Sequence, residues 1–117
     1  MIIGVGVDMC SIDRFEKMLQ RRPGITERLL TEAEAAMSLN SQAGRFAAKE
    51  ALAKALGSPG GLRWVDAEVV RNADGQPHFE LRGTVRELAG RLGVTDVHVS
   101  ISHDAGLATA LVIAEKR

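Results

Sequence analysis

The chain has 117 residues, of which 45% are hydrophobic and 26% charged, with 15 Lys and Arg balancing 15 Asp and Glu. This predicts one globular domain over residues 1–117 with a single core, and argues against disorder or a generally nucleic-acid-seeking surface. Aromatics are only 3%, with one Trp and no Tyr, so Val, Ile, Leu and Ala must build the core and base-stacking nucleic-acid modules are disfavoured. A single cysteine excludes an internal disulfide framework. The amino terminus carries no basic leader with an apolar run, and no stretch approaches the roughly 20 apolar residues of a bilayer span. The expectation is a cytoplasmic protein with neither membrane nor nucleic-acid partners.

Residues Ile2 to Asp8 alternate, with Ile3, Val5 and Val7 on one face and Gly4, Gly6 and Asp8 on the other. This predicts a strand with one bare face that ends in a carboxylate. Gly4 and Gly6 alone do not make a dinucleotide fingerprint, which needs a third glycine. Glycine inside a strand marks close packing, and the later alanine-rich helix is the candidate neighbour. Cys10 has no nearby feature that would activate a thiolate and reads as a bystander.

Ser11 is placed to cap a helix from Ile12 to about Arg21 that buries Ile12, Phe15 and Leu19. Arg14, Met18, Arg21 and Arg22 fall on a different face, with Lys17 at its margin. The face reads either as solvated surface or as a contact patch for an acidic partner helix. Pro23 and Gly24 end the helix, and Thr31-Glu32-Ala33-Glu34 is a capping-box pattern that starts another short one. Asn40 to Gln42 are expected to form a polar joint.

Arg45 to Gly57, RFAAKEALAKALG, is rich in strong helix formers and stops at a glycine. At about 100° per residue, Ala48, Leu52, Ala55 and Leu56 share one side, while Phe46, Glu50 and Lys54 share another. The plain reading of Glu50 and Lys54 is an exposed pair contributing roughly 0.2–0.5 kcal/mol. The sharper one is that the alanines let other backbone approach, leaving a carboxylate and an ammonium in a cleft.

Ser58-Pro59-Gly60-Gly61 reads as a loop, since the Gly-Lys-Ser/Thr of a phosphate loop is missing. Trp64 to Arg71 and Pro77 to Leu81 are predicted as a hairpin around Asn72-Ala73-Asp74-Gly75, and Thr84 to Leu92 as a surface helix stopped by Gly93. In Val97 to His103, Val97, Val99 and Ile101 face one way and His98, Ser100 and Ser102 the other. Leu107 to Ala114 is almost wholly apolar, which predicts a strand buried on both faces. The sum is a small α+β domain with a mostly antiparallel sheet packed by helices.

Four polar clusters interrupt these apolar elements: Asp8; Glu50 with Lys54; Arg45 with Lys49; and His103 with Asp104. Two carboxylates on separate elements, without cysteine or paired histidine at ligand spacing, suit a hard oxygen-seeking ion such as magnesium better than zinc. The basic residues would then hold phosphate charge. Each also has a plainer reading: Asp8 as a strand-end cap, Arg45 and Lys49 as solvated cations, His103 as a turn histidine.

Three blocks, GVDMCSIDRF at 6–15, RFAAKEALAKALG at 45–57 and HVSISHDAG at 98–106, resemble the signatures of bacterial holo-acyl-carrier-protein synthases, the short type of 4'-phosphopantetheinyl transferase. The resemblance spans nearly the whole chain and implies that fold. It also implies magnesium-dependent transfer of 4'-phosphopantetheine from coenzyme A to a serine of apo-acyl carrier protein, in a homotrimer. By the same resemblance Asp8 and Glu50 match metal ligands, and Lys54 matches a lysine near the pyrophosphate. Arg45, with Lys49 beside it, matches a basic group holding coenzyme A phosphate. His103 and Asp104 match a block end close to the reacting groups. The DGQP turn at Asp74–Pro77 matches a family feature, Pro77 included. Arg14 matches an arginine that meets the acidic helix of the carrier, with Met18, Arg21 and Arg22 on the same face. Two departures stand out: Gln76 replaces a basic residue common before the proline, and Leu107 replaces a common aromatic. The serine proton could pass to a metal-bound water, to Glu50 or Asp104 through water, or to His103. A non-catalytic module that binds an acidic partner is the competing reading.

Overall fold

Two glycines in the first strand decide how the molecule packs. In the computed structural model, which describes Met1–Arg117, β1 runs from Ile2 to Ser11 and α4 from Leu39 to Ala55. A Cβ built on Gly4 would lie 1.9 Å from the carbonyl oxygen of Ala55, and one on Gly6 only 1.8 Å from that of Ala51. Helix backbone therefore rests directly on strand backbone, as the pairing of bare strand and alanine-paved helix predicts. Ala43, Ala47, Ala48, Ala51, Leu52 and Ala55 are all buried along α4.

Around this pair the chain runs α1 (Ile12–Arg21), α2 (Ile25–Leu29), α3 (Glu32–Ala35), then after α4 β2 (Ala67–Arg71), β3 (Pro77–Leu81), α5 (Gly83–Leu92), β4 (Asp96–Asp104) and β5 (Leu107–Glu115). The main sheet is antiparallel in the order β1-β5-β4, and β2 pairs with β3 as a separate antiparallel hairpin. The fold is the α+β, mostly antiparallel arrangement expected. One apolar cluster joins α4 to β2, α5 and β5; a second, centred on Phe15, Leu29, Leu30 and Ala43, lies under α1 and α2. Phe46 packs against the second cluster, stacking on Phe15 at 5.4 Å and lying 6.0 Å from Trp64, which packs there too.

The structure corrects several expectations. Strand β1 does not end at Asp8 but continues to Ser11, which then caps α1 by accepting from the Arg14 amide. Asn40 to Gln42 are not a joint: Ser38 caps α4 and these residues form its first turns. Trp64–Asp66 is a 3-10 turn, so β2 begins at Ala67, while the short α2 was not anticipated. Strand β5 is not buried on both faces. Ala108, Ala110, Val112 and Ala114 pack under α4, but Leu107 and Leu111 are exposed on the other face.

Candidate active site

Asp8 projects from the helix-facing side of β1 toward the last turns of α4. Lys54 Nζ donates to Asp8 Oδ1 at 3.0 Å and to the Val7 carbonyl at 3.0 Å. The Asp8 side chain is 18% exposed and that of Lys54 50%, so the pair is partly open to solvent. Glu50, one helical turn before Lys54, is half-buried. Burial above all, and then the charge of Asp8, push its carboxyl up, with Lys54 opposing. The cluster thus holds two carboxylates within electrostatic reach and one ammonium, already bonded to Asp8. An added divalent cation would relieve that excess negative charge. No group of three or more His, Cys, Asp or Glu side chains assembles anywhere in the chain. Magnesium takes one or two protein carboxylates and completes its shell with water and phosphate oxygens, so Asp8 and Glu50 fit it. Cys10 lies near this cluster, and burial, Asp8 and Glu50 all push its thiol up, which is opposite to activation.

Arg45 and Lys49 are not solvated, contrary to the plain reading of the sequence. They are 1% and 2% exposed and face the interior. Lys49 Nζ donates to Glu34 Oε1 and, at 2.7 Å, to the Leu29 carbonyl, so its charge is fully engaged. Glu34 in turn accepts from the Thr31 amide at 3.0 Å and from the Val69 amide at 2.9 Å. It was legible only as the third residue of a capping box, because nothing local reveals a partner 15 residues away. Arg45 donates to the Val69 and Ser41 carbonyls, each at 3.4 Å, with no carboxylate partner. It lies in the floor of a groove between α4 and β2.

His103 and Asp104 belong to a different flank. His103 Nε2 lies 2.9 Å from the Asn40 carbonyl, and the ring covers Gly44, where an added Cβ would come within 2.8 Å of it. Gly44 precedes Glu50 by nearly two helical turns, and β4 is separated from β1 by β5. The two residues line a concavity with Asp13, Glu16 and Asn40 instead of joining Asp8 and Lys54. Pro77 opens β3 directly opposite Arg71. On α1, Arg14, Lys17, Met18, Arg21 and Arg22 line one surface depression. Lys17 pairs with Asp13, while Arg14, Arg21 and Arg22 make no ion pair within the chain.

Comparison with known proteins places these features in context. Residues 4–112 match the family model of the 4'-phosphopantetheinyl transferase superfamily. The chain is 53% identical over 115 residues to the holo-[acyl-carrier-protein] synthase of Clavibacter sepedonicus, covering 98% of this chain and 97% of that one. It is 54% identical over 115 residues to that of Cutibacterium acnes, covering 98% and 99%. Among solved structures, it superposes on the holo-[acyl-carrier-protein] synthase of Neisseria meningitidis with a TM-score of 0.87 at 31% identity, over 99% of this chain and 100% of that one. The enzyme from Helicobacter pylori, solved in complex with coenzyme A, superposes with a TM-score of 0.83 at 33% identity, over 95% and 99%.

Proposed function

The chain belongs to the 4'-phosphopantetheinyl transferase superfamily, and on that premise we propose that, acting as one domain, it transfers 4'-phosphopantetheine from coenzyme A to a serine of apo-acyl carrier protein. Adenosine 3',5'-bisphosphate is the other product. The observation that carries this reading is the Asp8, Glu50 and Lys54 cluster, built where α4 lies on β1, in a chain half identical to synthases of that name. The test is a mass spectrum: apo-carrier mixed with the protein, coenzyme A and magnesium gains the mass of phosphopantetheine. An unmodified carrier overturns the reading. A module that merely docked an acidic partner would have no use for two carboxylates gathered beside a lysine.

Asp8 and Glu50 would hold magnesium, which when bound stabilises charge on pyrophosphate oxygens. The chain's own residues do the rest. Phosphoryl transfer demands little covalent help, so rate comes from position and electrostatics. Lys54, fixed by Asp8 and the Val7 carbonyl, presents an ammonium to the leaving pyrophosphate. The serine proton would pass to Glu50 or Asp104 through water, or to His103.

The basic depression on α1 is the proposed carrier-docking surface, its three unpaired arginines and Met18 suited to an acidic helix. Such charges act mainly on encounter rate and are screened over roughly 8 Å at physiological salt. Arg14→Glu, alone or with Arg21→Glu, should raise KM for the carrier several-fold and flatten the salt dependence of kcat/KM, leaving coenzyme A binding unchanged. Unaltered kcat/KM and salt slope would return this face to plain solvated surface.

A homotrimer with active sites at its interfaces is the proposed assembly. Val5, Val7 and Met9 are 55%, 59% and 65% exposed on the sheet face opposite α4, contiguous with Leu111 of β5. A broad apolar face of this kind marks association. The separation of His103 and Asp104 from the Asp8 cluster within one chain also suits a site completed by a neighbouring copy. Val7 and Leu111 are direct cross-strand partners. Val7→Glu with Leu111→Glu should convert a species of three chain masses in light scattering into an inactive monomer. A fully active wild-type monomer at assay concentration rules the trimer out. No helix is long and apolar enough to cross a membrane, which accords with a proposed cytoplasmic location.

A further inference from the structure

On the face of the main sheet away from α4, the two neighbouring strands set out apolar side chains: Val5, Val7 and Met9 on β1, and Leu107, Leu111 and Ile113 on β5. Thr109 is the one polar side chain that these stretches place among them. It stands directly opposite Met9, one residue beyond Asp8, and is half-buried. A hydroxyl there has little water to turn to once a second copy covers this face, as in the proposed trimer. Its partner lies within the sheet instead: Thr109 Oγ1 donates to the Asp8 carbonyl at 3.0 Å.

Asp8 is therefore held from both sides of the sheet. From the α4 side Lys54 donates to Oδ1 and to the Val7 carbonyl; from the opposite side Thr109 fixes the Asp8 carbonyl. The two holds differ in kind. Lys54 is half exposed, and in the proposed reaction its ammonium also serves the pyrophosphate. Thr109 makes this one side-chain hydrogen bond, and a β-branched residue is stiff at χ1, so its hydroxyl stays where packing puts it. The second hold matters because β1 is an edge strand, paired only with β5, with no further neighbour to keep its peptide planes from turning. Carbonyl and carboxylate share the Cα of Asp8, so fixing the first limits the tilt of the second.

We propose that Thr109 is a positioning residue for the metal-holding carboxylate: from the opposite face of the sheet, its hydroxyl sets the direction in which Asp8 presents its side chain to the ion. This rests on the reading of Asp8 and Glu50 as the magnesium ligands, and adds a third residue that touches neither ion nor substrate. Groups that orient a metal ligand through a hydrogen bond govern ion affinity by about 10–100-fold.

Binding of Mn2+ alone, followed by the EPR signal of the free ion, tests this without turnover. Thr109→Val keeps the β-branched shape and should weaken Mn2+ about tenfold, the lower end of that range. Thr109→Ser keeps a hydroxyl and should stay within about threefold of wild type, because only χ1 freedom is added. A role in packing alone predicts the opposite order, since valine suits an apolar sheet face at least as well as threonine, whereas serine loses a methyl. The thermal midpoint and the light-scattering mass of Thr109→Val should therefore match or exceed wild type while its ion affinity falls. In turnover this variant should raise the magnesium concentration for half-maximal rate by the same factor, with KM for the carrier unaltered. Wild-type Mn2+ affinity in Thr109→Val, or a loss in Thr109→Ser as large as in Thr109→Val, overturns the proposal. Asp8→Ala in the same titration separates this failure from that of the metal reading. If Asp8→Ala binds Mn2+ like wild type, Asp8 is no ligand and both fall; a weakened Asp8→Ala beside an unaffected Thr109→Val removes only the Thr109 assignment.

Discussion

Asp8→Ala and Glu50→Ala are each expected to lower kcat by roughly 10²–10³-fold, the scale of losing one preorganised electrostatic contact to the transition state. Both carboxylates are within electrostatic reach of each other, so either loss leaves the proposed ion held by a single side chain. Neither should unfold the chain. The partner Asp8 would leave behind, Lys54, is half exposed to solvent, and Glu50 makes no hydrogen bond to another side chain whose partner would be orphaned. Thermal midpoints near wild type, with activity lost, are the expected result. Excess magnesium should restore one of the single variants in part. Lys54→Ala should likewise lower kcat while leaving carrier affinity intact, because its charge is assigned to the reacting pyrophosphate. Near-normal kcat in both carboxylate variants at ordinary magnesium would remove the metal site from the account.

Gly6→Ala is expected to be the most damaging single-methyl change in the chain. The new carbon would lie 1.8 Å from the Ala51 oxygen and 2.8 Å from the Ala55 nitrogen. Both are backbone atoms, so no rotamer change relieves the overlap. Helix α4 must lift from β1 by more than an ångström. Overpacking of this kind costs about 3 kcal/mol, at the upper end of its usual range. A urea midpoint lowered accordingly would show it, with Gly60→Ala, where nothing lies within 4 Å, as the control at wild-type stability. The folded fraction of Gly6→Ala should also turn over more slowly, since lifting α4 carries Glu50 and Lys54 away from Asp8. Wild-type stability in Gly6→Ala would contradict the backbone-on-backbone packing.

The sequence by itself determined what repeats within a few residues. Alternation in IIGVGVD and VHVSISH marked β1 and β4, Thr31 with Glu34 marked the cap of α3, and two bare glycines beside an alanine-rich helix announced their contact. The resemblance of three blocks carried the family, and the chain's matches bear it out. Boundaries slipped where a local signal competed with a longer one. Asn40 to Gln42 looked like a joint because they are polar, yet the Ser38 cap and the buried length of α4 carry them into the helix. Only the tertiary structure decided which charges face inward. Lys49 and Glu34 lie on different helices, and their pairing depends on how those helices dock against Val69. It also separated His103 and Asp104 from Asp8 and Lys54, which share a motif logic but not a flank of α4. The physical reason is the same in both cases. Periodicity says which side of its own element a residue occupies, whereas burial and ion pairing depend on what the rest of the chain brings to that side.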